Sequence, residues 1–104
     1  MLVEQRTYTL QVGGASIWLR EYERLGKETQ LRILPRMLGY FTTEIGVLNQ
    51  VVHLWGYDSF EQRLECRTRL FADPQWLEFV AAVTPIIVTQ ESKLLLPASF
   101  SPMR

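Results

Sequence analysis

Arg6 and Tyr8 stand two residues apart in Glu4-Gln5-Arg6-Thr7-Tyr8-Thr9-Leu10, and His53 and Trp55 do so in Gln50-Val51-Val52-His53-Leu54-Trp55-Gly56-Tyr57. In an extended strand that spacing puts both side chains of a pair on one face. His53 is the only histidine of the chain. Its ordinary pKa near about 6.5 makes it the natural proton acceptor at neutral pH. With Tyr8 or Glu44 beside it, it would deprotonate an acidic carbon or a phenol. Arg6 would anchor an anion or a carbonyl, since a buried guanidinium needs an acceptor. Arg67 falls within the helically spaced series Phe60, Leu64, Phe71, where a hydrophobe is expected. Turned inward, it would grip a carboxylate with two parallel N–H bonds. Trp18, Trp55 and Trp76, with Tyr22, Tyr40 and Phe79, would wall a pocket for a flat ligand. The expected site therefore has His53 and Tyr8 in catalytic positions. Arg6, Arg67, Trp55, Trp76 and Glu44 would hold a small aromatic or carbonyl compound.

Each of these residues has a plainer reading. Arg6 pairs with Glu4 or Glu44 as a structural ion pair. His53 is a half-buried histidine hydrogen-bonded at an interface. Arg67 packs its stem and sends its head to water. The aromatic residues are core. Cys66 lies off the apolar stripe and next to Arg67, with no histidine nearby to activate it. One histidine and one cysteine are too few for a protein-only zinc site, no haem motif accompanies His53, and Gly13-Gly14 is no phosphate-cradling loop. No metal or cofactor is expected.

The positioning elements are legible. Leu2 to Val12 is rich in β-formers and ends at Gly13-Gly14, a strand followed by a turn. From Ala15 to about Leu34, apolar or small residues recur at Trp18, Tyr22, Leu25, Thr29 and Ile33, an amphipathic helix ended by Pro35. Met37 to Ile45 is a second strand, Gly46-Val47-Leu48-Asn49 a hairpin loop, and Gln50 to Tyr57 a third strand antiparallel to the second. Asp58 or Ser59 caps the next helix, with Glu61 or Gln62 three residues on. Its stripe is Phe60, Leu64, Arg67 and Phe71. Asp73-Pro74 starts a short helix with Trp76, Phe79 and Val80 inward. Ile86 to Leu96 is the fourth strand. Residues 97–104 form a polar arm with Phe100 as its apolar anchor.

The order β-α-β-β-α-β, with one helical insertion, is that of the ferredoxin-like split βαβ unit. Four antiparallel strands would carry helices on one face, with strands one and three central. Strand three then poses a problem, because neither of its faces is polar. Val51, His53, Trp55 and Tyr57 share one parity; Val52 and Leu54 share the other. Burying side chains of this size is worth about 2–3 kcal/mol each, so the face the helices leave bare should be covered. A second copy packing sheet to sheet is the simplest cover. The alternative is the C-terminal arm folding back through Leu95, Leu96 and Phe100.

Bulk properties narrow the function classes. A chain of 104 residues holds one domain. Eleven basic and eleven acidic residues cancel, which argues against a nucleic-acid or anionic-membrane binder. No apolar run nears the roughly 20 residues that span a bilayer, and Met1-Leu2-Val3-Glu4 lacks a signal-peptide layout. With a single cysteine, a reducing cytoplasmic setting is expected.

The segments Glu4 to Leu10, Gly39-Tyr40-Phe41-Thr42-Thr43-Glu44-Ile45-Gly46, Leu48 to Trp55 with Tyr57, and Asp73-Pro74-Gln75-Trp76 resemble the NIPSNAP family, in order and spacing over most of the chain. The resemblance implies a homodimeric α+β barrel. Its wider superfamily includes cofactor-independent monooxygenases, haem-degrading enzymes and small isomerases. For the family itself it implies no defined activity. Eukaryotic members carry a mitochondrial extension and often two domains, so a stand-alone bacterial form is expected here. Two readings follow: a cofactor-free monooxygenase-like or isomerase-like enzyme, or a dimeric module that binds ligand or protein without catalysis.

Overall fold

The computed structural model describes residues 1–104. β1 (Leu2–Leu10) leads to α1 (Gly14–Glu21), one π-turn over Tyr22–Gly26, and α2 (Lys27–Ile33). Then follow β2 (Met37–Thr42), β3 (Gln50–Tyr57), α3 (Phe60–Leu70), α4 (Pro74–Val83) and β4 (Ile87–Leu95). The sheet order is β2-β3-β1-β4 with every neighbouring pair antiparallel. This is the ferredoxin-like arrangement, with β1 and β3 in the centre as expected.

Strand parity is now fixed. Val51, His53, Trp55 and Tyr57 are all buried beneath the helices, whereas Val52 and Leu54 on the other face are half-buried. Register sets Glu4 opposite Trp55, Arg6 opposite His53 and Tyr8 opposite Val51. Tyr40 of β2 pairs with His53 from the other side. Strand alternation therefore gathers Glu4, Arg6, Tyr8, His53, Trp55 and Tyr40 on the covered face.

Several boundaries differ from expectation. β1 stops at Leu10, and Val12 is 98 % exposed beside Gly13, whose φ of 82° makes the turn. β2 ends at Thr42, so the hairpin loop is longer than the sequence suggests, and Ile45 in it is 92 % exposed. That loop closes on Asn49, whose φ is 59° and whose Oδ1 accepts the Ala15 N–H at the start of α1. The first helix is not uniform either. Its π-turn moves the inward face so that Tyr22 and Gly26, then Thr29 and Gln30, are buried. Gly26 permits this: a Cβ there would come within 3.0 Å of Phe79 Cγ and 3.1 Å of Tyr22 Cδ1.

Helix α3 departs most. Phe60, Leu64 and Phe71 are each over two-fifths exposed, while Cys66 and Leu70 are buried. The helix is rolled so that Arg63 turns inward and reaches Glu4, because a carboxylate buried on β1 requires cations above it. Ser59 is the cap, accepting the Gln62 N–H at 3.1 Å, and Asp73 caps α4 by accepting from Gln75 and Trp76. The terminal arm does not fold over the bare face as its core: Leu96 is 81 % and Phe100 86 % exposed. No helix is long and apolar enough to cross a membrane.

Candidate functional site

Between the covered sheet face and the helices lies a cavity of about 570 Å³. Five of the seven residues expected at a site belong to its wall: Arg6, Tyr8, His53, Arg67 and Trp76. Trp18, Gln30, Tyr40 and Phe79 join them, and Val88, Thr89 and Gln90 of β4 form one side. Trp55 is fully buried and stands behind His53 rather than in the wall. Glu44 is an exposed residue of the β2–β3 loop. β2 ends two residues before it, so Glu44 lies outside the cavity wall and Arg6 pairs with Glu4 instead.

Glu4 is the electrostatic centre below the cavity. Its side chain has no solvent exposure, and Oε2 accepts from Arg6 Nη1 at 2.9 Å, Arg63 Nη2 at 2.8 Å and Ser92 Oγ at 2.5 Å. Burial raises a carboxyl pKa, but the hydrogen bonds from Arg63 and Ser92 and the Arg6 charge outweigh it, holding Glu4 at about 2. Arg6 is thereby locked. Its remaining nitrogens donate to the Tyr8 phenol oxygen, Nε at 3.1 Å and Nη2 at 2.7 Å. The Arg6–Glu4 ion pair is thus real, and it also serves to place Arg6 and Tyr8 in the cavity wall.

His53 is held on three sides. Tyr40 and Tyr8 lie nearly parallel to the imidazole at ring-centre distances of 4.6 and 5.7 Å. Trp55 Nε1 donates to His53 Nδ1 at 2.6 Å. An indole nitrogen can only donate, so Nδ1 is unprotonated and the neutral ring carries its hydrogen on Nε2. Nε2 is buried and without a partner. Burial, then the Arg6 charge, push the His53 pKa down to about 3. The ring is accordingly neutral at physiological pH and presents an N–H donor, not the proton acceptor its ordinary pKa suggests. Metal or haem-iron ligation through Nε2 is disfavoured by the same bond, because it calls for the proton on Nδ1.

Arg67 differs from the other two arginines. It makes no ion pair, and its guanidinium lies over the Phe71 ring at 5.3 Å. Burial and the neighbouring Arg6 charge lower its pKa, the response of a cation short of a counter-ion. Trp76 Nε1 is also buried and unpartnered. Sequence reasoning missed Gln30 and Arg63. Gln30, accepting the Tyr22 O–H at 2.6 Å, was hidden because the π-turn shifts helical phase. Arg63 was given no role, although Arg63 and Arg67 at one-turn spacing were a visible signal.

A four-stranded antiparallel sheet with helices on one face defines an α+β protein of the ferredoxin-like class. A crystal structure of an antibiotic biosynthesis monooxygenase shares the fold, with a TM-score of 0.66 at 14 % identity over 94 % of this chain and 99 % of that one. At that identity the likeness is one of fold alone. The NIPSNAP family model matches residues 3–102, and the chain belongs to the NIPSNAP family. A NIPSNAP-like domain protein of Burkholderia xenovorans is 47 % identical with a TM-score of 0.92, covering 97 % of this chain and 88 % of that one. A NIPSNAP family protein of unknown function from Agrobacterium tumefaciens is 41 % identical with a TM-score of 0.95, over 100 % and 94 % of the two chains. The NipSnap homolog of Dictyostelium discoideum is 36 % identical over 90 % of this chain, and human NipSnap homolog 3B is 32 % identical over 97 %. The chain spans 41 % of the length of each of these two.

Proposed function

We propose that this NIPSNAP protein binds, and with the same residues transforms, a small organic molecule in the cavity between its sheet and helices. One observation carries the reading: Arg6, Tyr8, His53, Arg67 and Trp76, from four separate elements, meet at a single cavity of about 570 Å³. A volume of that order suits a metabolite-sized ligand. Aromatic walls supply area, and the polar groups supply orientation. Tyr8 and His53 are the groups placed to stabilise charge on a reacting carbonyl, in the manner of oxyanion donors. A thermal-shift screen of phenols, quinones and keto acids tests the reading. At least one class should raise the midpoint, and Trp76→Ala should abolish that rise. A shift by none would argue for the second reading, a dimeric module that binds no small ligand.

The functional unit we propose is a homodimer. Phe41 is 54 % exposed and its ring lies over Gly39, where a Cβ would meet it at 2.6 Å. With Val52 and Leu54 it makes an apolar strip on the face the helices leave bare. A second copy facing that strip would close two sheets about a two-fold axis. Light scattering at micromolar concentration tests it, and a monomer mass would overturn it.

A further inference from the structure

The cavity's only charged side chains are Arg6 and Arg67. No aspartate or glutamate lines it. Arg67 of its wall has no ion pair, and His53 and Trp76, also of the wall, each hold a buried nitrogen without a partner, Nε2 and Nε1. Three acceptors of the wall are already used, while Gln90 keeps its own and Glu4 Oε1, behind the wall, has no partner. Gln30 spends its oxygen on the Tyr22 O–H, which leaves its amide N–H2. The Tyr40 oxygen accepts the Trp18 indole N–H at 2.8 Å, and the Tyr8 oxygen accepts two N–H groups of Arg6. Both phenols therefore have their own O–H to give. Charge points the same way, since Arg6, Arg63 and Arg67 face one carboxylate, Glu4. Two positive charges remain in excess beneath and beside the cavity.

Orphaned buried donors are costly unless something accepts from them. Water has acceptor and donor capacity alike and cannot neutralise Arg67. Resting on the reading of the cavity as a ligand site, we infer that its occupant is a planar organic anion: an oxyanion, carboxylate or enolate, on a flat conjugated body. Arg67 neutralises the charge, His53 Nε2–H and Trp76 Nε1–H donate to the oxygens, and the aromatic wall packs the body. Arg67 is thus the specificity-determining residue, and Glu4 a positioning residue that acts through Arg6.

Isothermal titration calorimetry of the whole chain at pH 7 and low salt, with 2-naphthoate, 2-naphthalenemethanol and 2-(aminomethyl)naphthalene, separates charge from shape. Naphthoate should bind about tenfold tighter than the alcohol or better, with the amine weakest. Arg67→Met keeps the packed stem and removes the charge. It should cost naphthoate at least about tenfold while leaving the alcohol within about twofold. Trp76→Phe keeps the ring and removes one donor, for a loss of about fivefold. Equal binding of acid and alcohol, or an Arg67→Met variant that still prefers the acid, would overturn the anion inference and leave the cavity reading standing. Binding of none of the three would overturn both.

Discussion

The two faces of the sheet invert the usual rule. On the covered face, where an apolar core is the simplest solution, stand Glu4, Arg6, Tyr8, Tyr40 and His53, joined by hydrogen bonds and stacked rings. On the bare face, where polar residues would suffice, Phe41, Val52 and Leu54 lie among Gln5, Thr7, Glu91 and Lys93. Alternation normally sends apolar side chains inward and polar ones outward. Polar groups retained inside mark a place where something must be bound or held. Apolar groups retained outside mark a surface still to be covered. The contrast is one of chemistry and not of burial alone, and each face is open to separate attack.

The largest effect is expected on the covered face. Glu4→Gln removes the charge that three donors share and leaves Arg6 and Arg63 buried without a counter-ion. Urea unfolding should show a loss of about 3–5 kcal/mol. If the loss is below about 1 kcal/mol, the carboxylate is not the electrostatic centre described above.

The bare face answers differently. Leu54→Glu puts a charge in the middle of the strip while touching no residue of the cavity. It should convert the proposed dimer to monomer in light scattering, equivalent to about 2–3 kcal/mol of association energy. Binding of a cavity ligand should survive in the monomer. A variant that stays dimeric would remove the sheet-to-sheet interface.

The pH dependence of stability sharpens the inner face further. The His53 pKa is 6.5 ordinarily and about 3 when folded. Between those values the unfolded chain takes up a proton that the folded chain refuses, so stability falls as pH drops through the window. From pH 7 to pH 5 the loss attributable to His53 should be about 2 kcal/mol. His53→Gln should flatten that part of the profile. Glu4 acts lower, since its contribution is full above 4.5 and disappears as pH falls toward about 2. The two groups are therefore separable in one titration of the unfolding midpoint.

The smallest effect belongs to α3. Leu64 has the spacing of a core residue but is 48 % exposed. Leu64→Gln should change stability by less than about 0.5 kcal/mol, whereas Leu70→Ala, at a fully buried position, should cost about 2–5 kcal/mol. Equal costs would mean that the helix is rolled the other way.

Element types, their order and the central place of β1 and β3 were legible in the sequence because each rests on local signals: strand alternation, helical spacing, and the Ser59 and Asp73 caps. Five residues of the cavity wall were legible for a related reason. A polar side chain at an inward parity is conspicuous within a single strand or helix.

Glu44 misled because an exposed loop residue and an end-of-strand residue look alike in one dimension. Phe60, Leu64 and Phe71 misled because an apolar series marks a stripe without saying whether the chain has a stronger reason to turn another stripe inward. Here that reason was Glu4, 59 residues away from Arg63.

Local periodicity, set by 3.6 residues per helical turn and two per strand repeat, was fixed by the sequence itself, and with it the topology. What only the tertiary structure decided was which groups are satisfied. Trp55 takes His53 Nδ1 and so turns an apparent base into a donor. Glu4 occupies Arg6 and Arg63 and leaves Arg67 free. Hydrogen bonds and charge pairs form between residues distant along the chain, and their partners are settled only once the elements have packed.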